Sequence, residues 1–275
     1  MQKILLIINA EKANTEVISF ACKVAALSGA KLTGLMIENI YLEYIPSTSL
    51  EAPSYFTTVR PVNDAVKADK DQMIQLFKDE CKAKKINSEV ITKFDDPLKQ
   101  VVFESRFADL LIIDPQATVF EGEEQLPSHF VKEVLAKAEC PVLLAPDKFE
   151  DVEEIDFCYD GSASSVFAIK QFTYLMPQFK GKKLRVLEIK TSDKEKFNDG
   201  DRKIMEWLRS NYPSVCYQAL NGIAKDELFT HFFMNENKMI VMGAYGRSII
   251  SNFFKRSSAD ILIRTVDLPL FIAHH

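Results

Sequence analysis

The stretch from 238 to 258 reads Lys-Met-Ile-Val-Met-Gly-Ala-Tyr-Gly-Arg-Ser-Ile-Ile-Ser-Asn-Phe-Phe-Lys-Arg-Ser-Ser. It begins with an apolar run, which is typical of a strand buried on both faces of a sheet. Gly243 and Gly246 then let the backbone turn tightly and approach a ligand. Two serines follow where a helix is expected to begin, beside free N–H groups and the positive end of the helix dipole. The stretch therefore predicts a strand, a loop and a helix that form either a phosphate site or a plain connection with Ser257 as N-cap.

An earlier part of the chain repeats this order in the same register. Asp109-Leu-Leu-Ile-Ile-Asp114 matches 238–243, and the match continues to Ser128 against Ser257. The first half is longer mainly because it carries an insertion at 39–61, which has four aromatic residues and three prolines. We therefore expect two domains, 1–148 and 149–275, joined by the acidic stretch 147–156.

Strands alternate with helices in both halves, and this alternation favours parallel sheets with helices on both faces. In the first half we predict strands at 3–9, 31–38, 86–93, 109–114 and 141–145, and helices at 14–28, 62–85, 97–106 and 128–138. In the second half we predict strands at 154–159, 184–189, 215–220, 239–242 and 268–273, and helices at 163–176, 195–211, 224–234 and 257–265. The segments 39–61, 115–127 and 243–256 are predicted loops. The predicted fold is α/β, with two tandem doubly wound domains that each contain a parallel five-stranded sheet.

Composition excludes several classes of protein. With 47% hydrophobic and 27% charged residues over 275 positions, the chain is neither collagen-like nor disordered. The 34 basic and 39 acidic residues give a net charge of −5, so the chain as a whole does not attract the negatively charged backbone of nucleic acid. No apolar run is long enough to span a bilayer, and the start lacks the apolar core of a signal peptide. We expect a cytoplasmic protein without membrane or nucleic-acid partners.

The cysteines are few and widely spaced. Their number is odd, and no pair has the spacing that zinc sites or thioredoxin-type redox sites use. The five positions are Cys22, Cys81, Cys140, Cys158 and Cys216. We expect them to act as small buried hydrophobic residues.

Several short motifs together resemble the universal stress protein family. The loop that begins Gly243-x2-Gly246 and reaches Arg256-Ser257 after nine further residues is similar to the family's ATP-loop pattern, G-x2-G-x9-G-[ST]. Gly246-Arg247-Ser248 resembles the family's G-R-S, and Asp160-Gly161-Ser162 resembles its D-G-S. Glu139-Cys140-Pro141-Val-Leu-Leu resembles its last strand. The resemblance covers nearly the whole chain. It implies the adenine nucleotide alpha hydrolase-like fold, two halves packed as a pseudo-dimer, and nucleotide bound beyond the carboxyl ends of the strands.

The resemblance also assigns site residues in the second half, with ATP, accompanied by Mg²⁺, as the implied ligand. Asp160, beside Gly161, would lie at the ribose or adenine edge, and Ile189 with Met242 would line the adenine. The loop would be shaped by Gly243 and Gly246, which Arg247 follows, and phosphate would be bound by Ser257 and Ser258. Two plainer interpretations stay open. Asp160 could cap the next helix, and Ile189 and Met242 could simply be core residues.

One departure from the family pattern decides whether the second half can bind nucleotide. Arg256 stands where the third small residue of the loop is expected. Its guanidinium could fold over a triphosphate through bidentate hydrogen bonds, or it could fill the site and block it. Lys255 and Arg256 could also be an ordinary solvated charge pair.

The first half departs further from the pattern. In the same register Asp114, Ala117 and Pro127 replace the small residues, and only Ser128 remains. Carboxylates repel phosphate, and the acidic residues near this loop are Asp114, Glu121, Glu123 and Glu124. We predict that this half binds no nucleotide and is a packing partner or a site for another ligand. The insertion, with Tyr41, Tyr44, Tyr55 and Phe56, could cover a pocket or a partner, or form a lid over its own core.

Three functions are compatible with the sequence. The first is a stress-response protein of the universal stress type that binds ATP in its second half and acts through protein contacts. The second is a nucleotide-free interaction scaffold. The third, a weak ATPase, has less support, because no motif supplies a general base and His129 and His231 suit structural roles. We therefore assign no catalytic and no metal-binding residue. The two halves could satisfy each other's sheet edges in a monomer, or two chains could assemble through their last strands.

Overall fold

A computed structural model of the chain describes residues 1–9, 14–38, 42–46, 55–59, 64–92, 96–120, 124–190, 197–233, 235–244 and 256–274. Of residues 42–46, 55–59, 64–67, 69 and 256–258, the backbone alone is described. The predictions made for Gly246 and Arg247, for Glu121 and Glu123, and for Tyr41 lie outside the described residues.

The described residues form twelve strands and eight α-helices. The strands are β1 (Lys3–Asn9), β2 (Lys31–Ile37), β3 (Leu42–Pro46), β4 (Tyr55–Val59), β5 (Ser88–Thr92), β6 (Leu110–Ile113), β7 (Val142–Leu144), β8 (Glu154–Tyr159), β9 (Lys183–Lys190), β10 (Val215–Asn221), β11 (Lys238–Gly243) and β12 (Leu270–Ala273). The helices are α1 (Thr15–Ser28), α2 (Asp64–Ala83), α3 (Pro97–Ser105), α4 (His129–Lys137), α5 (Ala163–Leu175), α6 (Asp199–Arg209), α7 (Ala224–Phe232) and α8 (Arg256–Thr265). A short 3₁₀ turn, Pro177–Phe179, follows α5.

Ten of the strands form one continuous sheet in the order β10-β9-β8-β11-β12-β7-β6-β1-β2-β5. The five strands from β10 to β12 are mutually parallel, and so are the five from β7 to β5. The two sets meet at β12 and β7, which pair antiparallel with Leu270 opposite Leu144 and Ile272 opposite Val142. The predicted α/β class with parallel five-stranded sheets flanked by helices is confirmed. The last strands of the two halves pair with each other inside one chain.

Local sequence signals determine where the helices begin and end. Asn14 caps α1 by accepting a hydrogen bond from the Glu16 N–H, and Gly29 ends that helix with a φ of 67°. At α6, Asn198 and Asp201 form a capping box, in which each side chain accepts from the other residue's backbone N–H. Asp96 caps α3 just before Pro97, at the start of the helix predicted at 97–106. These contacts fix the directions in which the helices leave the sheet.

The sheet is buried on both faces. One apolar layer lies under α1, α2, α5 and α6 and includes Phe20, Phe77, Phe157 and Phe172. The other lies under α3, α4, α7 and α8 and includes Val101, Val134, Leu228 and Leu262. Side chains alternate between the two layers along each central strand, which explains why those strands are continuous apolar runs.

Three structural predictions need correction. The segment 39–61 is not all loop, because β3 and β4 pair as an antiparallel two-stranded sheet. Tyr, Thr and Val in Tyr55–Val59 favour an extended backbone, and the prolines obscured that preference. The linker predicted at 147–156 overlaps the strand predicted at 154–159; the strand is confirmed as β8, so the linker ends before Glu154. Those acidic residues can lie in a strand because basic side chains pair with them, as described below. Arg256 was predicted in a loop but is the first residue of α8.

The burial expected of the cysteines holds for only part of the set. Cys22, Cys81 and Cys158 are buried, Cys140 is half-buried, and Cys216 is exposed. Cys216 is exposed because β10 is an edge strand, where alternate side chains face solvent. Within the described residues, no helix has both the length and the apolar character that crossing a bilayer requires.

Candidate functional site

The carboxyl ends of three adjacent strands bring most of the predicted second-half residues to one edge of the sheet. β8 lies between β9 and β11, with Tyr159 opposite Glu188 and Cys158 opposite Met242. Asp160, which directly follows β8, therefore lies beside the end of β9, which carries Ile189, and beside the end of β11, which carries Met242. Crevices at the carboxyl ends of parallel strands are the usual ligand sites of open α/β sheets.

The Asp160-Gly161-Ser162 turn connects β8 to α5. The Asp160 carboxylate accepts a hydrogen bond from the Ser162 N–H at 3.0 Å, and Ser162 Oγ accepts from the Ser165 N–H at 3.1 Å. Ser162, and not Asp160, is therefore the N-cap of α5. Gly161 has a φ of +73°, a conformation that L-residues with a side chain rarely adopt. The turn explains the glycine without a ligand and leaves Asp160 at the carboxyl end of β8.

Ile189 and Met242 lie in the apolar layer under α7 and α8. Ile189 is 4% exposed and Met242 is fully buried. Their burial matches the plainer interpretation of these positions as core residues. A role in lining adenine stays a prediction for both.

Gly243 ends β11 against the first turn of α5. A Cβ added to Gly243 would lie 2.5 Å from the backbone nitrogen of Ser165, a distance that no real Cβ contact shows. Only glycine fits here, because the strand end and the helix backbone touch. The packing of β11 on α5 thus requires this glycine whether or not a ligand binds.

The loop after β11 leads to the start of α8. Ser257 and Ser258 lie in the first turn of α8, where backbone N–H groups have no partner within the helix. Farther along α8, Ala259, Leu262 and Ile263 are buried in the same layer as Met242. The helix is thereby fixed against the sheet, and its N-terminus follows directly from the predicted loop.

The equivalent place in the first half holds a cavity of about 550 Å³. It lies at the carboxyl ends of β1 and β6, between the starts of α1 and α4. Its polar lining includes Asn9, Asn14, Asp114, Thr118, Glu124 and Ser128, and its apolar lining includes Ile7, Val17, Ile18 and Leu126. Asp114 and Ser128, which match Gly243 and Ser257 in the repeat register, thus line one cavity together with Asn9.

Glu124 occupies the N-terminus of α4 in that cavity. Its carboxylate accepts hydrogen bonds from the Thr118 hydroxyl at 2.6 Å and from the His129 N–H at 2.7 Å. Burial alone would raise the pKa of Glu124, but these two hydrogen bonds hold it below its ordinary value. Ser128 Oγ accepts the Val131 N–H at 3.1 Å. Two N–H groups that could face an anionic ligand therefore already have partners within the chain.

Comparison with solved structures identifies the architecture. A universal stress protein from Archaeoglobus fulgidus DSM 4304 superposes with a TM-score of 0.68 at 15% identity, over 98% of each chain. The chain has the universal stress protein fold. A protein described as a universal stress protein from Pseudomonas aeruginosa UCBPP-PA14 gives a TM-score of 0.63 at 11% identity, over 100% of this chain and 93% of that one. The cytoplasmic domain of a prokaryotic cation chloride cotransporter gives 0.53 at 10% identity, over 99% and 95%.

The likeness is one of fold, since the sequence identities with these three proteins are 15%, 11% and 10%. No protein-family model and no curated protein matches the chain in sequence. The universal stress resemblance stated from the motifs is thus confirmed at the level of architecture. It leaves the ligand to be argued from the residues of this chain.

A second polar cluster lies at the opposite, amino-terminal end of β8, and sequence reasoning missed it. Asp156 is fully buried, and its Oδ2 is 3.1 Å from both His231 Nε2 and Lys238 Nζ. Arg185 bonds Glu154 at 2.7 Å and lies 3.7 Å from Asp156 Oδ1. We name these five residues the β8 charge cluster. Burial alone would raise the pKa of Asp156, but His231 and Lys238 outweigh burial and hold it below its ordinary value.

The β8 charge cluster explains several polar residues in strands that otherwise are apolar. The sequence signal was present, since Glu154, Asp156, Arg185 and Lys238 each interrupt an apolar strand near its start. The cluster lies at the opposite ends of the strands from the carboxyl-end residues, and its opposite charges pair, although Asp156 Oδ1 and Arg185 Nε are 3.7 Å apart and form no hydrogen bond with each other. We assign it to the stability of the fold. Among the residues that the structure describes, no group of three or more His, Cys, Asp or Glu side chains could hold a metal ion.

Proposed function

We propose that the chain is a cytoplasmic stress-response protein of the universal stress type that binds an adenine nucleotide in its second half. The observation that carries the proposal is that β11 ends in the same direction as its neighbour β8 and as β9, and that α8 is the next described element along the chain. In the proposal, Asp160 and the N-terminus of α8 flank one nucleotide site at the carboxyl ends of these strands. The two proposed domains are 1–148 and 149–275.

In this proposal the backbone N–H groups of the first turn of α8 bind phosphate, together with the hydroxyls of Ser257 and Ser258. Gly246 gives the loop room to approach the phosphates, and Arg247 follows it. The chemistry of the Asp160 carboxylate suits the ribose hydroxyls, which donate hydrogen bonds. Arg256, at the start of α8, is proposed to contact the phosphates as a bidentate donor.

Calorimetric titration with Mg-ATP tests the proposal. We expect about one nucleotide per chain, and we expect Gly246→Arg to abolish binding because its side chain would fill the loop. Gly181→Arg is the matched control, since Gly181 lies in an exposed turn where an added Cβ meets nothing within 4 Å. Equal affinity of the Gly246→Arg variant and the wild type would refute the loop assignment.

Arg256→Gly distinguishes two roles of the arginine. Weaker Mg-ATP binding by this variant means that Arg256 holds the phosphates. New or tighter binding means that Arg256 blocks the site, in which case the wild-type protein is a nucleotide-free scaffold. Phosphate release above that of the Gly246→Arg variant would instead identify a weak ATPase.

The nucleotide-free scaffold is the second candidate, and one comparison favours it. The same fold occurs in the cytoplasmic domain of a cation chloride cotransporter, so a protein can use it as a module attached to another activity. Under this alternative the protein acts through partner proteins, and added nucleotide does not stabilise its folded second half. A melting temperature unchanged by Mg-ATP would favour the scaffold, because a ligand stabilises the state it binds.

A further inference from the structure

The 550 Å³ cavity of the first half is large enough for a small molecule, since ligand pockets typically measure about 300–1,000 Å³. It lies at a sheet edge where the chain places both apolar and polar side chains. The apolar wall comes from β1 and α1, with Ile7, Val17 and Ile18. The polar wall comes from the segment after β6 and from the residues before α4. The cavity therefore offers separate surfaces for an apolar body and a polar group.

The polar wall carries negative charge. Asp114 and Glu124 both line the cavity, whereas no lysine, arginine or histidine is found among the described residues that line it. The Glu124 carboxylate accepts hydrogen bonds from the Thr118 hydroxyl and from the His129 N–H at the start of α4, so donors of the protein already stabilise its charge. A phosphate would meet two carboxylates and a helix N-terminus that Glu124 already occupies.

Asp114 differs from Glu124 in its surroundings. Its Oδ1 accepts the Gln116 N–H at 2.7 Å, and the nearby Asn14 amide also lowers the pKa of this carboxyl. Among the described residues, the charged group that acts on its pKa is another carboxylate, Asp147. Burial and this repulsion raise the pKa of Asp114 above its ordinary value. Among the described residues that line the cavity, neutral donors therefore face Asp114 and no cation does. A cation bound in the cavity would offset the cost of burying the Asp114 carboxylate and its repulsion by Asp147.

We infer that the first-half cavity is a binding site for a small organic cation, with an ammonium group at Asp114 and an apolar body against β1 and α1. Glu124 sets the selectivity, because it fills the α4 N-terminus with the chain's own carboxylate and so excludes phosphorylated ligands. The site is independent of the nucleotide site proposed for the second half.

A matched set of three probes tests the inference. Phenethylammonium, 2-phenylethanol and 3-phenylpropionate share an aromatic body and differ in charge, and each is titrated into the full-length protein by calorimetry. We expect phenethylammonium to bind and the neutral alcohol to bind at least tenfold more weakly. We expect no binding of the anion. Equal binding of ammonium and alcohol, or no heat from phenethylammonium up to roughly millimolar concentration, would refute the inference.

Variants assign any binding to the cavity. Asp114→Asn keeps an acceptor for the Gln116 N–H and removes the charge, so we expect at least tenfold weaker binding of phenethylammonium. Leu126→Lys places an ammonium group of the protein in the cavity, where it should compete with phenethylammonium and weaken its binding. This variant provides a second test if Asp114→Asn folds poorly. Glu16→Gln is the matched control, because Glu16 is an exposed carboxylate at the start of α1 and does not line the cavity.

The nucleotide proposal and this inference fail separately. Gly246→Arg should leave phenethylammonium binding unchanged, and Asp114→Asn should leave Mg-ATP binding unchanged. If instead AMP binds to the Gly246→Arg variant and Asp114→Asn alters that binding, the first-half cavity takes phosphorylated ligands and the inference is wrong.

Discussion

The Gly243 Cα faces the backbone of Ser165 so closely that strand β11 and helix α5 touch without any side chain between them. A Cβ at Gly243 would lie 2.5 Å from the Ser165 nitrogen. The contact joins the last residue of a central strand to the first turn of a helix, near the crevice proposed for nucleotide. A glycine that resembles a phosphate-loop residue therefore also has a packing role.

Gly243→Ala should destabilise the protein by about 2 kcal/mol or more, because the new methyl group must displace the backbone of α5. Urea unfolding followed by circular dichroism measures the change. Gly181→Ala is the control and should shift the free energy of unfolding by less than about 0.5 kcal/mol. If both variants unfold alike, the close contact between β11 and α5 is not present in solution.

Removing the Asp156 charge should break the β8 charge cluster. Asp156→Asn leaves Lys238 and Arg185 with less compensating charge in a buried place, so we expect a loss of about 3 kcal/mol. The exposed Asp71→Asn should change stability by less than about 0.5 kcal/mol. Chemical denaturation at neutral pH gives both values, and a loss no larger than that of the control would show that the cluster contributes nothing.

Acid should weaken the fold through Asp156. Because the folded state holds the pKa of Asp156 below its ordinary value of 3.8, the ionised carboxylate stabilises the fold above that pH. This contribution is lost as the pH falls below 3.8 towards the folded pKa. We expect the unfolding free energies of wild type and Asp156→Asn to converge over that range. Parallel curves, with a constant difference down to the acid limit, would contradict the prediction.

Thiol reactivity should report the burial pattern of the cysteines. Cys216 is exposed on an edge strand, whereas burial raises the pKa of Cys140 to about 12. We expect one fast-reacting thiol in the native protein when it is treated with a chromogenic disulfide reagent, and all five after unfolding. Cys216→Ser should remove the fast phase, and Cys140→Ser should leave it. A fast phase that survives in Cys216→Ser would place another cysteine at the surface.

The antiparallel pairing of β7 with β12 makes a prediction about assembly. The strand edges through which two separate chains could have joined are already paired inside one chain. We therefore expect light scattering after size-exclusion chromatography to give a single chain of 31.3 kDa. A stable species of twice that mass would mean that another surface, such as edge strand β5 or β10, joins two copies.

Much of the fold could be predicted because its central strands are buried on both faces. Continuous apolar runs such as Lys3–Asn9 have few other possible structures, and caps such as Asn14 and Gly29 mark the helix ends. The hairpin of β3 and β4 escaped prediction because its prolines and hydroxyl residues are also typical of loops. The acidic start of β8 was predicted both as strand and as part of the linker, because the partners of its carboxylates, Arg185 and Lys238, are distant in sequence.

The candidate site was predicted in part. The register of the repeat placed Asp114 and Ser128 in one loop region, and both line the same cavity. The sequence could not reveal that Glu124 binds the N-terminus of α4, since that contact depends on the path of the segment before the helix. Nor could it show that Gly243 is required by α5, because a glycine's neighbours are set by tertiary packing.

The antiparallel meeting of β7 and β12 also reverses the direction of one set of strands relative to the other. The carboxyl ends of β1 and β6 therefore point to one edge of the sheet, and those of β8 and β11 point to the opposite edge. A symmetric pair of identical chains would carry the same ligand chemistry at both edges. Here a single chain joins the two sets of parallel strands, so the pairing of β7 with β12 does not depend on protein concentration. Because the two halves have different sequences, the ligand site at each end of the strands can change independently of the other.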